Sequence, residues 1–270
     1  MATQLYQSVI IPDVARLALS FDPNKLAAEL ATLTTTDWQA HFNHEIYQGG
    51  WSAIALRAAP NGHNAIYSDP SATHWADTEL LQQCSYFQQV LAGFGCPLLS
   101  VRLLRLAPDA VIKEHKDSGL GLVLGEIRLH IVVSTNPKVE CWIDGKGYHW
   151  SEGECWYADF GLTHSFINRG DTDRVHLVLD CRVNDWLITQ LNNATPGIPR
   201  LSQTPPNPSL VWLEQLPQAL RDELFQCHDR DDFIARLSGY LDSINQPITV
   251  HELTEIMRKH QREWLEKDIL

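Results

Sequence analysis

Residues 98–182 read LLSVRLLRLAPDAVIKEHKDSGLGLVLGEIRLHIVVSTNPKVECWIDGKGYHWSEGECWYADFGLTHSFINRGDTDRVHLVLDCR and are β-rich throughout. Alternating or continuous apolar segments lie at 98–106, 125–134, 139–143, 147–150, 154–158, 165–168 and 174–181. Turn signals such as Asp144-Gly145 and Glu152-Gly153 separate them. Many short strands at this spacing predict an antiparallel sandwich or barrel of the jelly-roll kind, rather than a parallel sheet with crossover helices.

The segments on either side of this β region have different residue patterns. Asp22 before Pro23 predicts the start of a helix that runs to about residue 33, and a second helix is predicted over 78–91. Between them we predict a strand at 51–57 and a polar loop at 59–73. Beyond a proline-rich stretch, apolar residues at helical spacing predict helices over 208–225, 229–244 and 249–267. The sequence therefore predicts a mainly β protein with N-terminal α/β elements, residues 1–195, and a helical C-terminal extension, residues 196–270.

Charge and cysteine content limit the partners and the cellular compartment that we expect. The chain has 270 residues, with 21 basic against 33 acidic side chains and a net charge of −12. Such a field repels phosphate backbones and anionic membranes, so we expect no nucleic-acid or membrane partner. No stretch resembles a membrane span or a secretory signal. The six cysteines form no CxxC pair, which favours a reducing, cytoplasmic compartment.

Four residues of the β region suggest a metal centre with a binding site for a carboxylate cosubstrate beside it. His115 and Asp117 are two residues apart, so an extended chain places both on one side. His164 follows just beyond the strand at 154–158, where a barrel can fold it back against the pair. Two imidazoles and one carboxylate leave coordination positions open, as in non-haem Fe(II) oxygenases. Arg174 opens the next strand, where a guanidinium can bind the carboxylate of a dicarboxylate cosubstrate.

These residues belong to a wider set of motifs. Roughly residues 51–186 resemble the aspartyl/asparaginyl β-hydroxylase family of Fe(II)- and 2-oxoglutarate-dependent oxygenases, which have a cupin-like double-stranded β-helix and include bacterial free-proline hydroxylases. The resemblance rests on Gly50-Trp51, Leu56-Arg57, Cys96-Pro97, APDAVIKEH at 107–115, IRLHI at 127–131, WSEGE at 150–154, and DFGLTH at 159–164 followed by Arg174.

The resemblance implies roles for individual residues. His115 and His164 would ligate Fe(II), and Arg174 would bind the distal carboxylate of 2-oxoglutarate. Arg128 and His130 match an Arg-x-His pair that contacts substrate and cosubstrate, respectively. Asp117 stands where the mammalian-type enzymes of the family have glycine, and in this respect the chain is closer to the proline hydroxylases, which keep all three ligands.

The expected activity is hydroxylation of an unactivated carbon, with 2-oxoglutarate and O2 consumed and succinate and CO2 released. The substrate is either an amino acid or an aspartyl/asparaginyl-type residue of a peptide or protein, and the oligomeric state is left open. Two alternatives stay open from the residues alone. The same His/Asp/His set suits a zinc-dependent hydrolase, and a non-catalytic cupin-like binding domain has the same fold.

Overall fold

The computed structural model describes residues 11–34, 37–41, 43–60, 65–66, 72–117 and 119–200, together with residues 236, 239 and 240. By its internal contacts the chain divides into two compact units, residues 1–203 and 204–270. The helices predicted over 208–225 and 249–267 lie outside the described residues. Of the helix predicted over 229–244, only residues 236, 239 and 240 are described, and all three are helical.

Fourteen strands of the described chain form two antiparallel sheets. In chain order the strands are β1 Val14–Ser20, β2 Gln39–Ala40, β3 Tyr47–Gln48, β4 Trp51–Ala58, β5 Ala76–Asp77, β6 Leu98–Leu106, β7 Val111–His115, β8 Glu126–Ser134, β9 Val139–Ile143, β10 Lys146–Tyr148, β11 Glu154–Ala158, β12 His164–Asn168, β13 Arg174–Arg182 and β14 Thr195–Pro196. The larger sheet has the order β14-β1-β11-β8-β13-β6-β4-β2, with β5 on β4, and the smaller has the order β10-β9-β12-β7-β3. The jelly-roll prediction is confirmed.

Among the described residues of this unit there are four α-helices: α1 Pro23–Leu30, α2 Glu79–Gln82, α3 Ser85–Ala92 and α4 Asp185–Asn192. Asp22 caps α1 as predicted, since its side chain accepts the backbone N–H groups of Asn24 and Lys25. The helix predicted over 78–91 is instead two helices, because Cys84 adopts a non-helical conformation (φ −105°, ψ 82°) between them. None of the helices in the described part of the chain is long and apolar enough to cross a bilayer.

The two larger hydrophobic clusters of the described residues lie on opposite faces of the larger sheet. Helix residues such as Leu26, Phe87 and Leu187 pack on one face, against alternate residues of β6, β8 and β13. The second cluster fills the space between the two sheets and includes Val132 and Phe166. Each buried aliphatic or aromatic side chain contributes about 1.5–3 kcal/mol of transfer free energy, so both clusters stabilise the packing of the larger sheet.

The strand period of two determines which residues face the space between the sheets. Odd-numbered residues of β6, β8 and β13, such as Leu103, Leu129 and Leu177, belong to the cluster under the helices. The even-numbered positions therefore point inward, and they carry the partly buried Arg128 and a set of buried polar side chains: Arg102, His130, Arg174, His176 and Asp180. The inner face of the larger sheet therefore carries a group of polar side chains at these positions.

Candidate functional site

The three predicted metal ligands converge at one end of this interior. His115 ends β7 and lies directly opposite His164, the first residue of β12, and the centroids of their rings are 4.2 Å apart. Asp117 follows β7, and its backbone N–H donates to the carbonyl of Phe160 at 2.9 Å. One potential ligand atom from each of the three residues lies within 4.8 Å of the others. The structure brings together His115, Asp117 and His164 in the arrangement that a metal ion requires.

A backbone carbonyl two residues earlier in the chain orients each imidazole for metal binding. Nδ1 of His115 lies 2.8 Å from the carbonyl oxygen of Lys113, and Nδ1 of His164 lies 3.0 Å from that of Leu162. A carbonyl only accepts, so each Nδ1 carries the proton and each Nε2 keeps its lone pair for a metal. Burial, and then the neighbouring His115, lower the pKa of His164 to about 4, so its ring is neutral at pH 7.

Asp117 is held by a guanidinium. Its Oδ2 accepts from Nη1 of Arg128, while Oδ1 lies 3.8 Å from Nε2 of His115. One carboxylate oxygen is therefore fixed by the protein and the other faces the imidazoles. A two-imidazole, one-carboxylate set with open positions fits Fe(II).

Arg174 is a buried cation without an anionic partner among the described residues. It is 1% exposed, and among the described residues its guanidinium makes a single long hydrogen bond, 3.5 Å from Nη1 to the carbonyl oxygen of Leu104. Its guanidinium lies 5.2 Å from the ring centroid of Phe166, and its Nε is buried without an acceptor. Burial lowers the pKa of Arg174 to about 10, which still leaves it charged at neutral pH. An unpaired buried charge is costly, so this geometry fits a bound anion.

His130 lies near Arg174 on the same polar face. Its Nδ1 is 3.0 Å from Nδ1 of His176, and its Nε2 is buried without a partner. The ring stacks on Phe160 and Phe166, with centroid distances of 4.9 and 5.9 Å. Burial, together with Arg128 and Arg174, holds the pKa of His130 well below its ordinary range, so the ring is neutral.

Arg128 belongs to a buried charge network. Its Nε donates to Oδ1 of Asp180 at 2.6 Å, and its Nη2 donates to Oδ2 at 3.2 Å. Arg102 donates to the same Oδ2 at 2.7 Å, and to the carbonyl of Ile66 at 3.2 Å, while its Nε has no acceptor. Asp180 thus fixes two guanidinium groups, of which Arg128 also contacts Asp117.

A cavity of about 570 Å³ joins these groups. Its lining includes all six predicted site residues, His115, Asp117, Arg128, His130, His164 and Arg174. Two more lining residues, Arg102 and His41, were not among the predicted ligands or binding residues. An arginine or aspartate within an apolar strand, as at Arg102 and Asp180, was the signal available in the sequence.

His41 covers the cavity from the N-terminal part of the chain. Its ring stacks on Trp51 with a centroid distance of 3.5 Å, and its Nδ1 accepts the backbone N–H of Asn43 at 3.3 Å. Burial, followed by the charge of Arg102, lowers the pKa of His41 to about 4. His41 therefore presents a neutral imidazole to the cavity.

Comparisons with known proteins match this region. A family model described as aspartyl/asparaginyl β-hydroxylase matches residues 22–183. L-proline cis-4-hydroxylase of Rhizobium meliloti (strain 1021) is 27% identical over 200 residues, which cover 72% of this chain and 69% of the relative. L-proline cis-3-hydroxylase 1 of Streptomyces sp is 24% identical over 166 residues, which cover 60% of this chain and 57% of the relative. The match thus spans just over half the length of the second relative.

Among solved structures, an oxidoreductase of the 2OG-Fe(II) oxygenase family from Burkholderia pseudomallei superimposes with a TM-score of 0.43 at 12% identity. The superposition covers 74% of this chain and 92% of that one.

Proposed function

Because the chain belongs to the aspartyl/asparaginyl β-hydroxylase family, we propose that it is a hydroxylating dioxygenase that uses Fe(II) and 2-oxoglutarate to oxidise a free amino acid. The observation that carries this proposal is Arg174, a buried guanidinium without an anion, in the same cavity as the His115, Asp117 and His164 cluster. The two curated relatives are hydroxylases of L-proline, so an amino acid of that size is the first candidate substrate.

Nε2 of His115, Nε2 of His164 and Oδ1 of Asp117 would hold the iron. When bound, Fe(II) with 2-oxoglutarate and O2 supplies the oxidant that replaces a C–H bond by C–OH, and succinate and CO2 are released. The backbone carbonyls of Lys113 and Leu162 keep the imidazole lone pairs directed at the ion.

Arg174 would bind the far carboxylate of 2-oxoglutarate. Its burial removes competing water, and charge-assisted hydrogen bonds between a guanidinium and a carboxylate are the strong ones in proteins. The partnerless Nε2 of His130 lies on the same cavity and would contact the same molecule. Both residues therefore position the cosubstrate relative to the metal ligands.

Arg102 and Arg128 would bind the carboxylate of the substrate. Each has N–H groups that no acceptor among the described residues takes, because Asp180, Asp117 and a backbone carbonyl account for only part of the five donors of each guanidinium. The α-carboxylate of a free amino acid suits this pair, whereas an internal proline or asparagine of a peptide offers no carboxylate. The contact of Arg128 with Asp117 would then place the substrate next to the metal.

The alternatives explain less of the site. A zinc hydrolase needs a general base beside the metal-bound water, and Glu114, the neighbour of His115, is exposed and does not line the cavity. A binding domain without activity gives no reason for open coordination positions beside a buried, unpaired arginine. Both alternatives lack a role for Arg174.

A substrate panel tests the proposal. Purified protein with Fe(II) and 2-oxoglutarate is offered free proline, free aspartate, free asparagine and short peptides that contain them, and succinate is measured. A hit counts only when the product gains the mass of one oxygen atom, because uncoupled turnover also releases succinate. We expect a free amino acid to be the substrate, and hydroxylation of peptides alone would contradict this.

Arg102→Met gives the matched test of the carboxylate site. We expect it to raise KM for the amino acid by about tenfold or more, since a hydrogen bond to a charged group contributes about 1.5–3 kcal/mol. The control is Arg105→Met, on the same strand, since Arg105 contacts Ser52 and Trp38 and does not line the cavity. Equal effects of the two substitutions would contradict a substrate role for Arg102.

A further inference from the structure

His176 is a buried histidine for which the proposed reaction has no use. It is 1% exposed, it follows Arg174 by two residues on β13, and its Nδ1 lies 3.0 Å from Nδ1 of His130. Burial and the charge of Arg174 keep the pKa of His176 well below its ordinary range, as for His130, so both rings are neutral. A hydrogen bond between two neutral imidazole nitrogens needs one proton, so one Nδ1 donates and the other accepts.

The direction of this hydrogen bond determines what His130 presents to the cavity. If His130 donates from Nδ1, its Nε2 is a bare lone pair. If His176 donates, His130 carries its proton on Nε2 and becomes a donor. Nε2 of His130 and Nε of Arg174 are both buried without acceptors, and both residues line the cavity. An anion bound by Arg174 is attracted by an N–H group and repelled by a lone pair, which favours the second arrangement.

We propose that His176 is a positioning residue: its Nδ1–H donates to Nδ1 of His130 and holds His130 as an Nε2–H donor to the carboxylate that Arg174 binds. The identity of that carboxylate, 2-oxoglutarate, rests on the proposed function. The stacking of His130 on Phe160 and Phe166 fixes the plane of the ring, and His176 fixes its tautomer. Sequence alone indicates only that residues 174 and 176 share a side of the strand.

NMR of the full chain labelled with 15N-histidine tests the tautomer directly. The Zn(II)-loaded protein is measured with and without 2-oxoglutarate, and the signals of His130 are identified by their loss in His130→Gln. We expect Nε2 of His130 to be protonated and its Nδ1 to be unprotonated in both states. A proton on Nδ1 of His130 would overturn the proposal, whether or not 2-oxoglutarate binds.

Two substitutions of His176 test the consequence for binding. In His176→Asn the amide nitrogen stands at the position of Nδ1 and can still donate, whereas His176→Leu fills similar space and cannot. We expect the Kd of the Zn(II)-loaded protein for 2-oxoglutarate, measured by calorimetry, to rise about tenfold in the leucine variant. The asparagine variant should recover most of the affinity.

The outcomes separate this proposal from the proposed function. Wild-type protein that binds Zn(II) but no 2-oxoglutarate refutes the cosubstrate, and the position of the proton on His130 still decides the role of His176. Wild-type protein that binds 2-oxoglutarate, with no difference between the leucine and asparagine variants, overturns the role of His176 and leaves the function standing. If the leucine variant does not fold, the tautomer of the wild-type protein decides.

Discussion

Each residue of the candidate metal site has a second contact that orients its side chain. His115 and His164 each use Nδ1 on a backbone carbonyl, and Asp117 uses Oδ2 on Arg128. Without these contacts the two imidazoles could adopt the other tautomer, and the side chain of Asp117 could adopt another rotamer. The centre is therefore preorganised by the protein before any ion binds.

Loss of one imidazole should abolish this centre. We predict that His164→Ala lowers the affinity for Mn(II) or Co(II) by at least about 100-fold, because even outer contacts of metal ligands contribute 10- to 100-fold. His74→Ala, at an exposed histidine, is the control and should bind the ion as the wild type does. Calorimetric titration measures both, and equal affinities would contradict the assigned site.

Asp180 should contribute strongly to the stability of the fold. It is 1% exposed and accepts from Arg102 and Arg128, so Asp180→Asn leaves two buried guanidinium groups short of countercharge. We predict a loss of about 3–5 kcal/mol in the free energy of unfolding, measured in urea. Asp77→Asn is the control. Asp77 pairs with Arg57 in an ion pair that is more exposed to solvent, so this substitution should cost about 0–1 kcal/mol. A loss below 1 kcal/mol for Asp180→Asn would refute this role.

The candidate metal ligands and Arg174 could be selected from the sequence because their residue types and order along the chain are typical of one chemistry, and the structure brings them to one cavity. Arg102 and Asp180 could not be assigned in this way. Their importance comes from the register of the strands. Asp180 of β13 lies opposite Arg128 of β8, and Arg102 of β6 lies opposite Val178 of β13. Which strands are neighbours is a property of the fold that no local pattern contains.

The pairing of the strands determines where the residues of the candidate site lie. β7 and β12 pair so that His115 meets His164, and β6, β8 and β13 contribute the arginines and His130 from one sheet face. Most strands were predictable from alternation and turn residues. β1, β7 and the two-residue strands β2, β3, β5 and β14 were not predicted. The break at Cys84 was not predicted either, because a single non-helical residue between two helices leaves no compositional signal.

Two glycines with nearly the same positive φ provide a test of turn packing. Gly153 and Gly125 have φ of +79° and +80°, but a Cβ at Gly153 would lie 2.3 Å from the carbonyl oxygen of Phe21, whereas one at Gly125 would meet nothing within 4 Å. We predict that Gly125→Ala costs about 1–2 kcal/mol of stability, from conformation alone. Gly153→Ala should cost about 1–3 kcal/mol more.

Urea denaturation of the two alanine variants measures this difference. The turn at Gly153 also joins the chain before α1 to β11, since Phe21 donates its backbone N–H to the carbonyl of Gly153 at 2.9 Å. The backbone has little room to shift without losing this hydrogen bond. Equal destabilisation by the two substitutions would contradict the packing described for this turn.

The molecule as a whole should lose stability in weak acid when metal is absent. Burial lowers the pKa of His41 and His164 to about 4 each, against an ordinary value of 6.5. Between these values the unfolded chain binds more protons than the folded one, so the free energy of unfolding falls as pH decreases from 7 towards 4. Denaturation curves at pH 7, 6 and 5 should show this fall.

His41→Gln isolates the contribution of one group to this pH dependence. The glutamine cannot titrate, so the variant should show a shallower dependence of stability on pH between 7 and 5 than the wild type. The two proteins share every other titrating group, which makes the difference in slope specific to residue 41. Identical slopes would show that His41 does not become protonated on unfolding in this range.

The central claim is that one cavity binds Fe(II) and 2-oxoglutarate together, through His115, Asp117, His164 and Arg174. The most direct measurement adds Fe(II) and 2-oxoglutarate to the metal-free protein without oxygen and records the weak visible charge-transfer band of a chelated 2-oxo acid. We predict a band in the wild type, none in His115→Ala, and a requirement for about 100-fold more 2-oxoglutarate in Arg174→Ala. Absence of the band in wild-type protein that has bound Fe(II) would contradict the account.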